Sequence, residues 1–223
     1  MISMAGKAVR RWWALFALPT FAAFVIGFVV PFVMGVYLSF CRFSTVTDAR
    51  FVGVSNYADA VSDPEFWHAL VYTVLFTVVT TVVVNVLAFA VAYMLTKRFR
   101  GTNVFRSVFF MPNLIGGIIL GYIWLLLLNG VLAHWGRSIT YSGVYGFWGM
   151  VLLYCWQQIG YMMIIYISGL QALPGDVLEA AAVDGASSRQ TLFRVTIPLM
   201  LPSITVCSFL TVTGGFKMFD QNL

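Results

Sequence analysis

Charged residues interrupt this chain at only a few places, and long apolar runs lie between them. Stretches free of Asp, Glu, Lys and Arg extend from Trp12 to Cys41, Trp67 to Thr96, Ser107 to Gly136, Ser138 to Gly175 and Val195 to Phe216. Each exceeds the ~20 residues that cross a bilayer as a helix. The pattern predicts five spans and an all-α, polytopic transmembrane helical bundle. A transmembrane barrel is excluded, because its strands would show ~10-residue alternating segments rather than continuous runs. The chain divides into an N-terminal segment, 1–66, holding the first span and an outer loop, and a core, 67–223, holding spans two to five.

Within the spans, prolines and glycines mark breaks and close approaches. Pro19 and Pro31 predict kinks or loosened ends in span one, and Asp63-Pro64 predicts a turn or helix start before span two. Asn85 is the strongly polar residue of span two, suited either to an interhelical hydrogen bond or to a solute path. Gly116-Gly117-x-x-x-Gly121 in span three predicts close approach by another helix. Gln157 and Gln158 in span four point about 100° apart, so at least one faces protein or a water-filled cavity rather than lipid.

The stretch Gln171 to Pro202 breaks the apolar pattern. Leu173-Pro174-Gly175 stops the preceding helix, Asp176 reads as an N-cap with Glu179 closing a capping box, and Gly185 supplies a left-handed terminator. The resulting helix of about two turns is marginal in water. It also shows Val177, Leu178, Ala180, Ala181, Ala182 and Val183, more apolar surface than a solvated loop tolerates, and so predicts a surface to lie against. Ser187 with Gln190 opens a second helix that runs through Leu192 and Val195 to the block before Pro198. From pattern alone the pair either lies on the membrane surface or docks to another protein.

Composition sharpens this picture. Of 223 residues, 61% are hydrophobic and 9% charged, against roughly 25% charged in a soluble domain. The net charge of +5 is not a nucleic-acid signal. With the N-terminus inside, nine of the thirteen basic residues (Lys7, Arg10, Arg11, Lys97, Arg98, Arg100, Arg106, Arg189 and Arg194) fall on the cytoplasmic side, as the positive-inside bias requires. The first apolar run is about twice the ~7 to 15 residues of a cleavable signal h-region, so it reads as an uncleaved span. Cys41, Cys155 and Cys207 have no metal-like spacing and read as packing residues. His68, His134 and Arg137 read as solvated.

The spans contain no ionisable side chain of the kind an ion-driven transporter keeps in the membrane. The chain also has no G-x-x-x-x-G-K-[ST] phosphate loop, since Gly6-Lys7-Ala8 fails at the hydroxyl. No nucleophile and base are paired, so the chain does not read as an enzyme. Uphill transport would draw its energy from another chain, and the 171–199 loop is where that chain would dock.

Glu179-Ala180-Ala181, Gly185 and Val195-Thr196-Ile197-Pro198 match the E-A-A, three residues, G, nine residues, I-x-L-P signature, with Val for Ile and Ile for Leu. On these residues the chain resembles the membrane-spanning permease subunits of binding-protein-dependent ABC importers. Gly53-Val54-Ser55-Asn56-Tyr57, Phe105 to Pro112 and Phe216-Lys217-Met218-Phe219-Asp220 resemble the carbohydrate-uptake branch, although Tyr72-Thr73 stands where that branch commonly has Asn-Thr. The resemblance implies a type I ABC importer permease fold, with a further span after the Phe-Asp segment that this sequence stops short of.

It also implies that Val177 to Asp184 is a coupling helix on a cytosolic ATPase dimer, with Glu179, Ala180, Ala181, Asp184 and Gly185 at the contact. ATP and Mg would be bound by the ATPase, and this chain would hold no cofactor and no metal. A second permease, an extracellular solute-binding protein and membrane lipid would be the other partners, in the plasma (inner) membrane of a bacterium or archaeon. The implied cargo is a sugar or sugar-like solute, with a polyamine or phosphate ester as the alternative. Asn85, Gln157 and Gln158 are the candidate polar lining of its path.

Overall fold

Proline decides where the long helices deform. In the computed structural model, which describes residues 4–45, 48–96, 101–139 and 142–218, α1 (Met4–Phe24) passes into α2 (Val30–Ser39) through a π turn at Val25–Val29. The Val30 N–H donates to the Val25 carbonyl five residues back. Pro31 has no N–H to offer, and its ring presses on the preceding turn, so the backbone widens just ahead of it. The same device recurs at Leu192–Thr196, immediately before Pro198, where the Ile197 N–H donates to Leu192 O.

Two compact units are present, Met1–Ala69 and Leu70–Leu223. In the first, β1 (Cys41–Arg42) and β2 (Arg50–Phe51) pair antiparallel, and α3 (Ser55–Ser62) follows. The Gly53-to-Tyr57 stretch clasps the end of α2. Asn56 Nδ2 donates to the carbonyls of Ser39 at 3.0 Å and Cys41 at 2.9 Å, and the Tyr57 and Ser39 hydroxyls share a 2.6 Å hydrogen bond. Gly53 sits at φ +62°, which only glycine adopts without strain. The Asp63 carboxylate accepts from the Glu65 N–H at 2.9 Å, and α4 (Pro64–Thr96) starts there as the Asp-Pro pair predicts. Its 33 residues span about 50 Å, longer than the ~30 Å hydrocarbon core.

The second unit is arranged around α7 (Gly143–Gln171), whose buried residues include Tyr154, Gln157, Met162, Met163 and Tyr166. Against it pack α5 (Thr102–Phe110), the 3₁₀ turn Met111–Leu114, α6 (Gly117–Ala133) and α11 (Leu201–Phe216). The part of α4 in this unit contributes a stripe spaced by four residues, Phe76, Thr80, Val84, Ala88 and Ala92, all buried. Edge-to-face aromatic pairs join the helices, Phe76 with Tyr154 at 5.6 Å and Phe89 with Tyr166 at 5.5 Å.

Among the described residues, three helices are long and apolar enough to cross a membrane: Ala17–Ser39, Pro64–Thr96 and Gly143–Gln171. Spans three and five are not the continuous helices the apolar runs predict. Thr102–Leu114 and Gly117–Ala133 meet at 101°, and Ser188–Leu199 and Leu201–Phe216 at 67°; five spans are reached when each bent pair is one span. Pro112 and Gly116 break the first, and Pro198 and Pro202 flank the second. Gly116, at the start of the small-residue run, meets nothing of its own chain within 4 Å of where a Cβ would stand, which leaves that face open to a helix of another chain. Within this chain, close approach occurs at Gly160, where a Cβ would overlap the Phe109 carbonyl, and at Gly215, where it would lie 2.7 Å from Thr77 Oγ1. The inner-loop cations Lys97, Arg98 and Arg100, and Phe219 and Asp220 of the last motif, lie outside the described residues.

Candidate functional site

After α7 ends at Gln171, Pro174 turns the chain into an extended conformation (φ −61°, ψ 122°) and α8 (Gly175–Val183) begins. Asp176 is therefore not the N-cap that the spacing predicts. Pro174 occupies that position, and no side chain caps the helix. Proline with its carbonyl already in place starts the helix two residues early, leaving Asp176 in the first turn, where its charge still favours the positive end of the helix dipole. Glu179 consequently closes no capping box.

The far end follows its sequence signals closely. Gly185 takes φ +75°, its N–H donates to Ala182 O at 3.1 Å, and the Ala186 N–H donates to Ala181 O at 3.0 Å. This is the paired Schellman termination that a left-handed glycine permits. Ser187 then opens α9 (Ser188–Thr191) with a complete capping box: Ser187 N–H donates to Gln190 Oε1 at 2.8 Å, and Gln190 N–H to Ser187 Oγ at 3.3 Å. The helix continues through the π turn into α10 (Ile197–Leu199).

The two arms fold against each other, α8 packing on α9 and the π turn. Leu178 and Ala181, one turn apart, are half-buried. Glu179, Ala180, Ala182, Asp184 and Gly185 are exposed, and Val183 is 88% exposed. Among the described residues, Asp176, Glu179, Asp184, Arg189 and Arg194 form no ion pair. The knob therefore offers an apolar patch rimmed by unpaired charges of both signs, held rigid by two terminal hydrogen-bond motifs.

The polar residues of the spans meet at a seam of α4, α7 and α11. Asn85 Nδ2 donates to Thr81 O at 2.7 Å and to Thr211 Oγ1 at 3.0 Å, while the Tyr166 hydroxyl donates to Asn85 Oδ1 at 2.6 Å. Tyr154 adds a 3.3 Å bond to Thr211 O. Thr77 and Thr81 hydroxyls are buried beside this network without hydrogen-bond partners. Gln157, 6% exposed, donates to Ile115 O at 3.4 Å, at the break between the 3₁₀ turn and α6. Gln158 is half-buried. The threonines and tyrosines of this seam were not singled out in the sequence, although Thr73, Thr77, Thr81 and Asn85 recur every four residues and so share one side of α4.

Residues 86–221 match the family described as binding-protein-dependent transport system inner membrane component. The chain belongs to that family. Among its relatives in the permease family, the probable starch degradation products transport system permease protein AmyD of Thermoanaerobacterium thermosulfurigenes is 37% identical over 220 residues, covering 95% of this chain and 75% of that one. The multiple sugar-binding transport system permease protein MsmF of Streptococcus mutans is 30% identical over 228 residues, covering 96% of this chain and 78% of that protein. A chain in the crystal structure of a bacterial alginate ABC transporter, in complex with an alginate pentasaccharide-bound periplasmic protein, superposes with a TM-score of 0.77 at 18% identity, covering 95% of this chain and 75% of that chain. At that identity the likeness speaks for the fold, which is that of a type I ABC importer permease. This permease is a multi-pass membrane protein.

Proposed function

We propose that this permease forms half of the translocation pathway of an ATP-driven importer for a sugar or sugar-like solute. In this reading the knob 171–199 docks on a cytosolic ATPase dimer, which binds the ATP and Mg. A second permease completes the pore, and an extracellular solute-binding protein delivers the cargo. The N-terminus lies in the cytoplasm and the spans in the inner membrane, which places the unpaired knob on the ATPase side. The observation that carries the docking role is the exposure of Glu179, Ala180, Val183, Asp184 and Gly185 on a helix whose end is locked by the Gly185 termination. The sugar assignment draws its support from the names of the relatives.

Mechanically, closure of the two ATPases would carry the paired loops together and swing the helices between inward- and outward-facing arrangements. Asn85, Gln157 and Gln158 are the proposed polar lining. Asn85 is bound by α7 and α11 in this conformation, so a solute reaches it only when those helices part.

The test is co-purification. Gly185→Asp places an L-residue at φ +75°, costing about 1–2 kcal/mol in a left-handed conformation, and puts a second carboxylate beside Asp184. Membrane insertion should persist while ATPase association is lost; Gly185→Asn, which tolerates this conformation better, should keep most of it. Association of Gly185→Asp at the wild-type level refutes the docking role. A thermal-shift screen of the partner binding protein against sugars, polyamines and phosphate esters tests the cargo, and a shift confined to either of the last two classes overturns the sugar assignment.

A further inference from the structure

A cavity of about 460 Å³ opens where the end of α4, the first turn of α5 and the end of α7 converge. Its size falls within the ~300 to 1,000 Å³ of small-ligand sites. Thr96, Thr102, Asn103, Arg106 and Gln171 line it with two leucines, Leu95 and Leu170, and no acidic side chain is among them. Arg106 Nε is buried and has no hydrogen-bond partner. A buried guanidinium donor left unpaired carries a desolvation penalty, so an oxyanion that accepts from it relieves a cost already present. The first turn of α5 carries no side-chain cap, which adds the positive end of a helix dipole to the same wall.

We propose that this cavity binds a phosphate-class oxyanion, carried either on an anionic phospholipid headgroup or as free phosphate. It rests on the orientation proposed above, in which this end of the bundle faces the cytosol. Basic pockets between helices on that side suit anionic headgroups, and Leu95 and Leu170 give the start of a lipid's acyl chains an apolar wall. Gln171 is also the last residue of α7, four positions before α8 begins, so an occupant would brace the root of the knob.

The experiment uses the assembled transporter, permeases and ATPases together, in detergent with added phosphatidylglycerol or phosphatidylcholine, and counts retained lipid by native mass spectrometry. Wild type should hold one phosphatidylglycerol that Arg106→Gln binds about fivefold more weakly, the worth of one cation near an anionic surface. Arg106→Lys should keep much of it, and phosphatidylcholine should not show the difference. Calorimetric titration of the lipid-depleted complex with inorganic phosphate separates the sources, because a free-anion site takes up phosphate in wild type and not in Arg106→Gln. Arg106-dependent binding in either arm supports the site. Equal binding by wild type and Arg106→Gln in both arms, or none by either, overturns it. Loss of ATPase from Arg106→Gln with lipid retention unchanged also overturns it and assigns the cavity to a protein carboxylate. Normal ATPase association in Arg106→Gln shows that the variant folds and leaves the docking reading standing whatever the lipid result. Should Arg106→Gln not assemble, Asn103→Leu carries the same comparison.

Discussion

At Gly160 the carbonyl of Phe109 and the amide of Phe110 occupy the space a side chain would need. Gly160→Ala should therefore overpack the α5 and α7 contact, lowering stability by about 3 kcal/mol. Thermal unfolding of the detergent-solubilised protein would show it, and Gly130→Ala, where a Cβ meets nothing within 4 Å, should not lower the melting temperature. Asp48 offers a second residue-scale check. Hydrogen bonds from the Ser44 hydroxyl at 2.6 Å, then from the Thr45 N–H at 2.8 Å, hold its carboxyl below the usual carboxylate range. Because the folded pKa is depressed, the turn's stabilisation is present above the unfolded pKa and is lost as pH falls through the folded one. The amide shifts of Ser44 and Thr45, followed by NMR, should titrate below the midpoint of a free aspartate and cease to do so in Asp48→Asn.

Among elements, the seam joining α4 to α7 and α11 is the place where polar residues hold the bundle together. Asn85→Leu removes the amide that joins Thr211 and Tyr166 and should cost about 1 kcal/mol, the ordinary worth of a hydrogen bond between membrane helices. Tyr166→Phe should cost less. A double-mutant cycle in chemical unfolding should show the two effects coupled, and strict additivity would mean that the hydrogen bond contributes nothing. Asn85 was legible as a polar intruder in an apolar span. Its partner Thr211 was not, because they lie 126 residues apart and no local spacing links them. The knob shows the same division within one loop. Gly185 and the Ser187–Gln190 box stand where the sequence places them, since both motifs are closed by bonds reaching at most five residues. Asp176 and Glu179 match a capping pattern equally well, but Pro174 takes the position first.

For the whole molecule, the exposed face of α8 is where the rest of the transporter is expected to attach. Val183, at 88% exposure, touches too little of its own chain to matter for folding. Val183→Asp should leave insertion and thermal stability unchanged while weakening ATPase co-purification at least about fivefold, as loss of an apolar contact at an interface centre does. Unchanged co-purification would move the contact to another face of the knob.

The sequence by itself determined that the chain lives in a membrane, which stretches hold its spans and where the knob ends. Each of these follows from run length, charge placement or bonds between neighbours along the chain, and the bilayer enforces the first without reference to any partner. Only the tertiary structure decided how sharply spans three and five bend, which glycines carry close approach, that Gln157 is buried on the Ile115 carbonyl, and that Arg106 faces a cavity between three helix ends. Those outcomes depend on which distant segments pack together, and proline or glycine only permits a bend whose angle its neighbours then set.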